Sequence, residues 1–114
     1  MESRFSHLEV VDINPISDSW TTGDWMNIPL TQVNDSLVRL GVIKGEYHWH
    51  RHEAEDEFFI VIEGQLRVEL EGRSFTLRPL QGITVPAGTV HRTLATEKTV
   101  ILMVEKATTR PEGD

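Results

Sequence analysis

The sequence predicts an all-β domain, a sandwich or barrel of short strands. Three observations carry this. Apolar residues recur with a period of two rather than 3.6. Gly, Pro and Asn turn signals break these runs at short intervals. No stretch shows the apolar spacing of an amphipathic helix.

Residues 1–27 hold Asn14-Pro15, Ser17-Asp18-Ser19 and Thr21-Thr22-Gly23-Asp24, with Trp20 and Trp25 among them. They read as an irregular N-terminal arm whose tryptophans anchor in a groove on the domain. The barrel is expected over 28–106. Val38, Leu40 and Val42 alternate with Leu37, Arg39, Gly41 and Ile43, and the first set is expected inside. Val33-Asn34-Asp35-Ser36 precedes this run as a turn. Phe58-Phe59-Ile60-Val61-Ile62 is apolar on both faces and needs cover on both sides. Leu66, Val68 and Leu70 alternate with polar residues, as do Phe75 and Leu77, and Glu71-Gly72-Arg73 joins the two runs as a tight hairpin. Thr99–Val104 is a second two-faced strand. Two-faced strands in so short a chain favour a homodimer, in which a second subunit covers the outer face. Thr108 to Asp114 is polar with Pro and Gly, and 107–114 is expected to be a flexible tail.

The 114 residues suit one domain. Eleven Lys and Arg against eighteen Asp and Glu give a net charge of −7, which argues against a nucleic-acid partner. No cysteine is present, so disulfides, thiolate metal sites and Cys nucleophiles are excluded. No apolar run approaches the ~20 residues of a membrane span. The first residues have no signal-peptide pattern, and a cytoplasmic location without membrane partners is expected.

Three of the five histidines fall within Glu46-Tyr47-His48-Trp49-His50-Arg51-His52. In a strand, positions i, i+2 and i+4 share a face, which aligns His48, His50 and His52 and sends Tyr47, Trp49 and Arg51 to the other side. Glu57 follows five residues after His52, and His91 follows Pro86-Ala87-Gly88. Imidazole and carboxylate are ligands for Fe, Mn, Co, Ni, Cu or Zn. The competing interpretations are a solvated polar strand and a satisfied core network; burying three imidazoles and a carboxylate without an ion demands that every group find a partner. His7 reads as a surface or hydrogen-bonded histidine.

These residues resemble the two signature motifs of the cupin superfamily. His50-Arg51-His52, four residues, Glu57, six residues and Gly64 fit the first; pairing His48 with His50 instead breaks the spacing to Gly64. Pro86-x-Gly88-x2-His91 fits the centre of the second. Three positions depart from the pattern. Lys44 stands where a glycine belongs, with Gly45 next; Leu80 stands where another belongs, with Gly82 two later; Ala95 replaces an asparagine. The glycine changes are expected to shift turns by a residue or two.

The resemblance implies a double-stranded β-helix, or jelly-roll, barrel. It implies a divalent transition metal held by His50, His52, Glu57 and His91 near one end of the cavity. Phe59 and Val61 share the face of Glu57 and are expected to line the wall, with Phe58, Ile60 and Ile62 facing out. His48 is additional: a catalytic acid–base group, a pocket residue and a polar residue at the barrel mouth are all open, and Glu46 shares that ambiguity. The expected function is a metal-dependent enzyme acting on a small organic molecule, isomerase-like or dioxygenase-like. The alternative is a non-catalytic cupin that binds or senses a small ligand; a storage role suits the short chain least. Arg39, Arg67 and Arg78 fall on the polar sides of their strands, with Lys44 and Arg92 near turns, so no inward phosphate clamp is expected.

Overall fold

The structure is a computed structural model describing residues 3–20, 25–110 and 113. A short helix, α1 (Asn14–Asp18), precedes seven strands: β1 (Met26–Val33), β2 (Ser36–Glu46), β3 (Glu57–Glu63), β4 (Leu66–Leu70), β5 (Arg73–Leu77), β6 (Gly82–Val85) and β7 (His91–Lys106). All pair antiparallel in the order β1-β2-β7-β3-β6, with β4 between β5 and β7. The all-β architecture is the one the alternation predicts, and its double-stranded β-helix is the one the resemblance implies. No helix among the described residues is long and apolar enough to cross a membrane.

Strand β7 holds the sheet together. Its first residues, His91–Leu94, pair with β4, its later residues 100–104 pair with β3, and β2 runs along most of its length. The strand is longer than the Thr99–Val104 run that apolar composition marks, because its first half alternates polar and small residues. Thr99 pins its middle: the buried hydroxyl accepts from the Gln65 amide at 3.2 Å and lies within donating reach of the Gln65 carbonyl at 3.1 Å. The chain between β3 and β4 passes so close here that a Cβ on Gly64 would lie 2.8 Å from the Lys98 carbonyl, and its φ of +91° suits glycine.

The short α1, with Pro15 in its first turn, was not visible as an apolar period because five residues make little more than one turn. Its Ile16 packs with Leu30, Leu40, Val42 and Val100 into an apolar cluster outside the barrel. Phe5, Val11, Ile13 and Trp20 close over it, and the backbone of Arg4 and Phe5 bonds the carbonyls of Pro29 and Leu30. A second cluster fills the interior with Ile43, Phe59, Val61, Leu66, Val68, Leu77, Val85, Ala95, Ile101 and Met103.

These two clusters correct the reading of β2. Leu40 and Val42 face the arm, whereas Arg39, Gly41 and Ile43 face the barrel interior. The alternation is real, but both faces are buried, so apolar character alone cannot say which is inside. Arg39 is only 3% exposed and its Nε lies 2.6 Å from Glu105 Oε1.

The displaced glycines behave differently. Gly45 has φ +100° beside a register shift between Ile43 and Gly45, so that turn has moved by one residue. Leu80 instead keeps a left-handed φ of +70°, so the turn stays in place and a non-glycine residue bears the strain, about 1–2 kcal/mol.

Candidate metal centre

Four segments bring the candidate ligands together. His50 and His91 form an isolated antiparallel bridge, each amide donating to the other's carbonyl at 2.9 Å. His52 is tied to the Pro86–Gly88 turn by the Gly88 amide, 2.8 Å from the His52 carbonyl. The same turn is held by Asp56, whose carboxylate accepts from the Ala87 amide at 2.9 Å. Glu57 opens β3 opposite Val85, the last residue before the turn. Residues forty positions apart are thus fixed by main-chain bonds.

One ligating atom from each of His50, His52, Glu57 and His91 lies within 4.8 Å of the others. His52, Glu57 and His91 are buried, and His50 is half-buried. Glu57 Oε1 stands 3.4 Å from His91 Nε2 and 3.6 Å from His52 Nε2. Those separations are too long for good hydrogen bonds. They suit neighbouring donors on one ion, each ~2.0–2.2 Å from it. Glu57 Oε1 and His91 Nε2 are buried with no hydrogen-bond partner among the described residues. Buried polar atoms left this way are costly unless something occupies their common focus. The donor set therefore fits a divalent transition metal.

Ring orientation supports this. The Nδ1 atoms of His50 and His91 lie 2.9 Å from the carbonyls of His48 and Thr89. A carbonyl only accepts, so Nδ1 carries the proton and Nε2 keeps its lone pair for the shared focus. Burial pulls the His50 imidazole below its ordinary value, with His91 and His52 acting in the same direction against the His48 carbonyl and Glu57. Burial alone would push Glu57 up; its contacts with His52, His91 and Glu105 outweigh that and hold it well below the usual carboxylate range. Both groups are thereby kept in the form a metal binds.

His48 lies outside this group. Its exposed ring sits 5.3 Å from that of His50 and 4.2 Å from Tyr47. Tyr47 corrects the alternation expected here: it lines the cleft with His50 because the segment after β2 leaves regular strand geometry. Trp49 does turn away, with the Arg92 guanidinium 4.9 Å above its ring. Glu46 reaches the cleft wall and lies 3.4 Å from Arg92. His7 is exposed, with Nε2 3.1 Å from the Gln32 carbonyl.

The sequence reading missed Arg39, Glu105, Trp25 and Asn27 around the site. Glu105 adjoins Glu57; burial and that neighbouring carboxylate push its carboxyl up to about 9, against the pull of Arg39. Asn27 accepts from Arg39 at 3.2 Å. Glu105 falls in phase with Ile101 and Met103, and that parity was the signal available for an inward charge. Trp25 joins the cleft instead of the apolar cluster that takes Trp20. The cleft encloses about 570 Å³, its open mouth included.

Comparison with known proteins agrees with this geometry. A family described as Cupin domain matches residues 38–105. The uncharacterized protein YdbB of Bacillus subtilis is 44% identical over 80 residues, covering 69% of this chain and 71% of that protein. The polyketide synthase CurC of Streptomyces cyaneus is 34% identical over 89 residues; the match covers 73% of this chain and 58% of CurC. A cupin-2 domain protein from Shewanella frigidimarina superposes with a TM-score of 0.79 at 29% identity, covering 85% of this chain and 94% of that one.

Proposed function

The chain belongs to the cupin domain family, and we propose that it is a metal-dependent enzyme acting on a small, oxygen-bearing organic molecule. The convergence of four ligating atoms within 4.8 Å at the foot of an open cleft carries this reading. His50, His52, Glu57 and His91 hold the ion. A divalent ion in such a site polarises a bound carbonyl or stabilises a developing enolate. The chain's own part is to fix the ligands, exclude water and move a proton. The Nδ1–carbonyl bonds of His50 and His91 fix ring orientation. Ile43, Phe59, Ile101 and Met103 make the wall apolar. His48, exposed with its ring 4.2 Å from that of Tyr47, is the proton carrier in this reading.

Elemental analysis of protein purified without a tag tests the site. The wild type is expected to carry one ion per chain, and His50→Ala/His91→Ala to carry none while keeping a β-type circular dichroism spectrum. His48→Gln is expected to keep the ion and lose turnover. Stoichiometric metal in the double variant refutes the ligand set, and metal loss in His48→Gln makes His48 a ligand.

A binding-only role is the second reading, favoured by the apolar wall, which can hold a ligand but moves no proton. Saturable binding without turnover of carbonyl substrates, in the presence and absence of oxygen, would select it.

The chain is also proposed to pair with a second copy. Phe58 opposite Val104 and Ile60 opposite Leu102 leave a half-exposed apolar strip on the outer sheet, continued by exposed Ile62. Light scattering at micromolar concentration is expected to give twice the chain mass; a monomer mass rejects the pairing.

A further inference from the structure

The cleft leading to the four ligands has an aromatic mouth that metal binding does not require. Trp25, the residue before β1, meets Tyr47 edge to face, with centroids 4.6 Å apart and planes at 85°. Tyr47 meets His50 in the same manner at 5.2 Å and 86°. These rings form a continuous path from the surface to a ligand. Trp25 stays 38% exposed although its neighbour in sequence, Trp20, is taken into the outer apolar cluster. An indole held in place yet left partly uncovered offers an unused ring surface.

Below the mouth one wall of the cleft is apolar. Ile43, Phe59, Ile101 and Met103 line it down to Glu57. Gly41 completes the wall, and a Cβ there would lie 2.9 Å from Ile101 Cγ1, so the backbone itself forms a surface without projections. A cleft with an aromatic mouth, a continuous apolar wall and ligating groups at its foot, with Lys44 and Glu46 also on its lining, matches a ligand that is flat and apolar along its body and carries its oxygens on one edge.

We propose that Trp25 and Tyr47 form a stacking subsite for a planar, unsaturated ring system bearing two adjacent oxygens, held with its ring at the mouth and its oxygens toward the ion. The oxygen end of this proposal rests on the metal-centre reading above; the stacking end rests on Trp25 and Tyr47 alone. Neither residue is a catalytic residue. They select the ligand by shape.

The probe is 2,3-dihydroxynaphthalene, compared with 5,6,7,8-tetrahydronaphthalene-2,3-diol, which has the same carbon skeleton and the same phenolic oxygens but a puckered second ring. Calorimetry on metal-loaded protein is expected to give at least about tenfold tighter binding of the flat diol. Trp25→Leu and Tyr47→Leu are each expected to remove most of that preference with metal content unchanged, and Trp25→Phe to retain it. In metal-free protein the flat diol is expected to quench tryptophan emission in the wild type and much less in Trp25→Leu. Equal affinity for the two diols, or full preference in both leucine variants, overturns the subsite. Should the protein hold no metal, the centre reading fails and the metal-free quenching alone decides the stacking: quenching lost in Trp25→Leu supports it, and quenching unchanged there overturns it.

Discussion

The two faces of β2 are made from neighbouring residues and do opposite work. Leu40 and Val42 point outward into an apolar cluster with Ile16, Leu30 and Val100. Arg39, one residue away, points inward to Glu105, which adjoins Glu57 and so connects to the histidines. The outer face gains free energy from every apolar group it buries, roughly 25 cal/mol per Å². The interior it faces buries two carboxyls, a guanidinium and two imidazoles, with His50 half-buried beside them, and each must recover its lost hydration from its neighbours or from an ion. Stability therefore comes mainly from the arm-covered side and the aliphatic part of the interior, while the polar end of the interior is kept at a cost.

The sharpest way to expose that cost is Glu105→Leu. Arginine cannot shed its proton, so this change leaves the Arg39 guanidinium buried beside an apolar group, with Asn27 still accepting from it. The expected loss, read from urea unfolding, is about 3–5 kcal/mol. Removing both polar partners in Arg39→Met/Glu105→Leu is expected to recover most of it, because a well-packed apolar pair has no hydration to replace. A loss below about 1 kcal/mol in the single variant would mean that the interior pair is no more demanding than a surface one.

The outer face should respond by a different rule. Leu40 is fully buried under the arm, and Leu40→Ala is expected to cost about 3 kcal/mol through lost transfer energy and the cavity left behind. Metal content per folded chain is expected to stay at the wild-type value. A parallel fall in metal content would show that the two faces of β2 do not act independently.

The same contrast explains what could be read from the residues. The strands were legible because period two survives whatever the burial, and the convergence of His50, His52, Glu57 and His91 because they keep motif spacings fixed by the His50–His91 bridge and the Pro86–Gly88 turn. Which face of β2 looks inward was not legible, because Leu40 and Val42 are as apolar as any interior residue and only the arm's position shows that they are covered from outside. Arg39 was assigned to solvent for that reason. Tyr47 was misplaced because strand parity was carried past Glu46, where β2 ends. Trp25 looked like Trp20, and nothing local distinguishes an indole packed under the arm from one at the mouth of a cleft.

The smallest effect is a slope with pH, and it isolates one inward carboxyl. Glu105 holds its proton in the folded chain up to about 9, whereas an unfolded glutamate releases it near pH ~4.3. Over that interval the folded state binds the extra proton, so stability contributed by this group falls as pH rises. His50 works the other way: its lowered value means the unfolded chain takes up the proton first, so its contribution rises with pH and is complete by about pH 6.5. Glu57, held low, adds stability above ~4.3 and is level beyond it. Between pH 7 and 9 the Glu105 term stands apart from the other two. Metal-free wild type is expected to lose stability steadily across that window, and Glu105→Gln, which keeps the volume and a hydrogen-bond donor but has no proton to release, to follow a flatter line. Parallel curves for the two proteins would place the proton elsewhere and leave Glu105 as an ordinary ionised partner of Arg39.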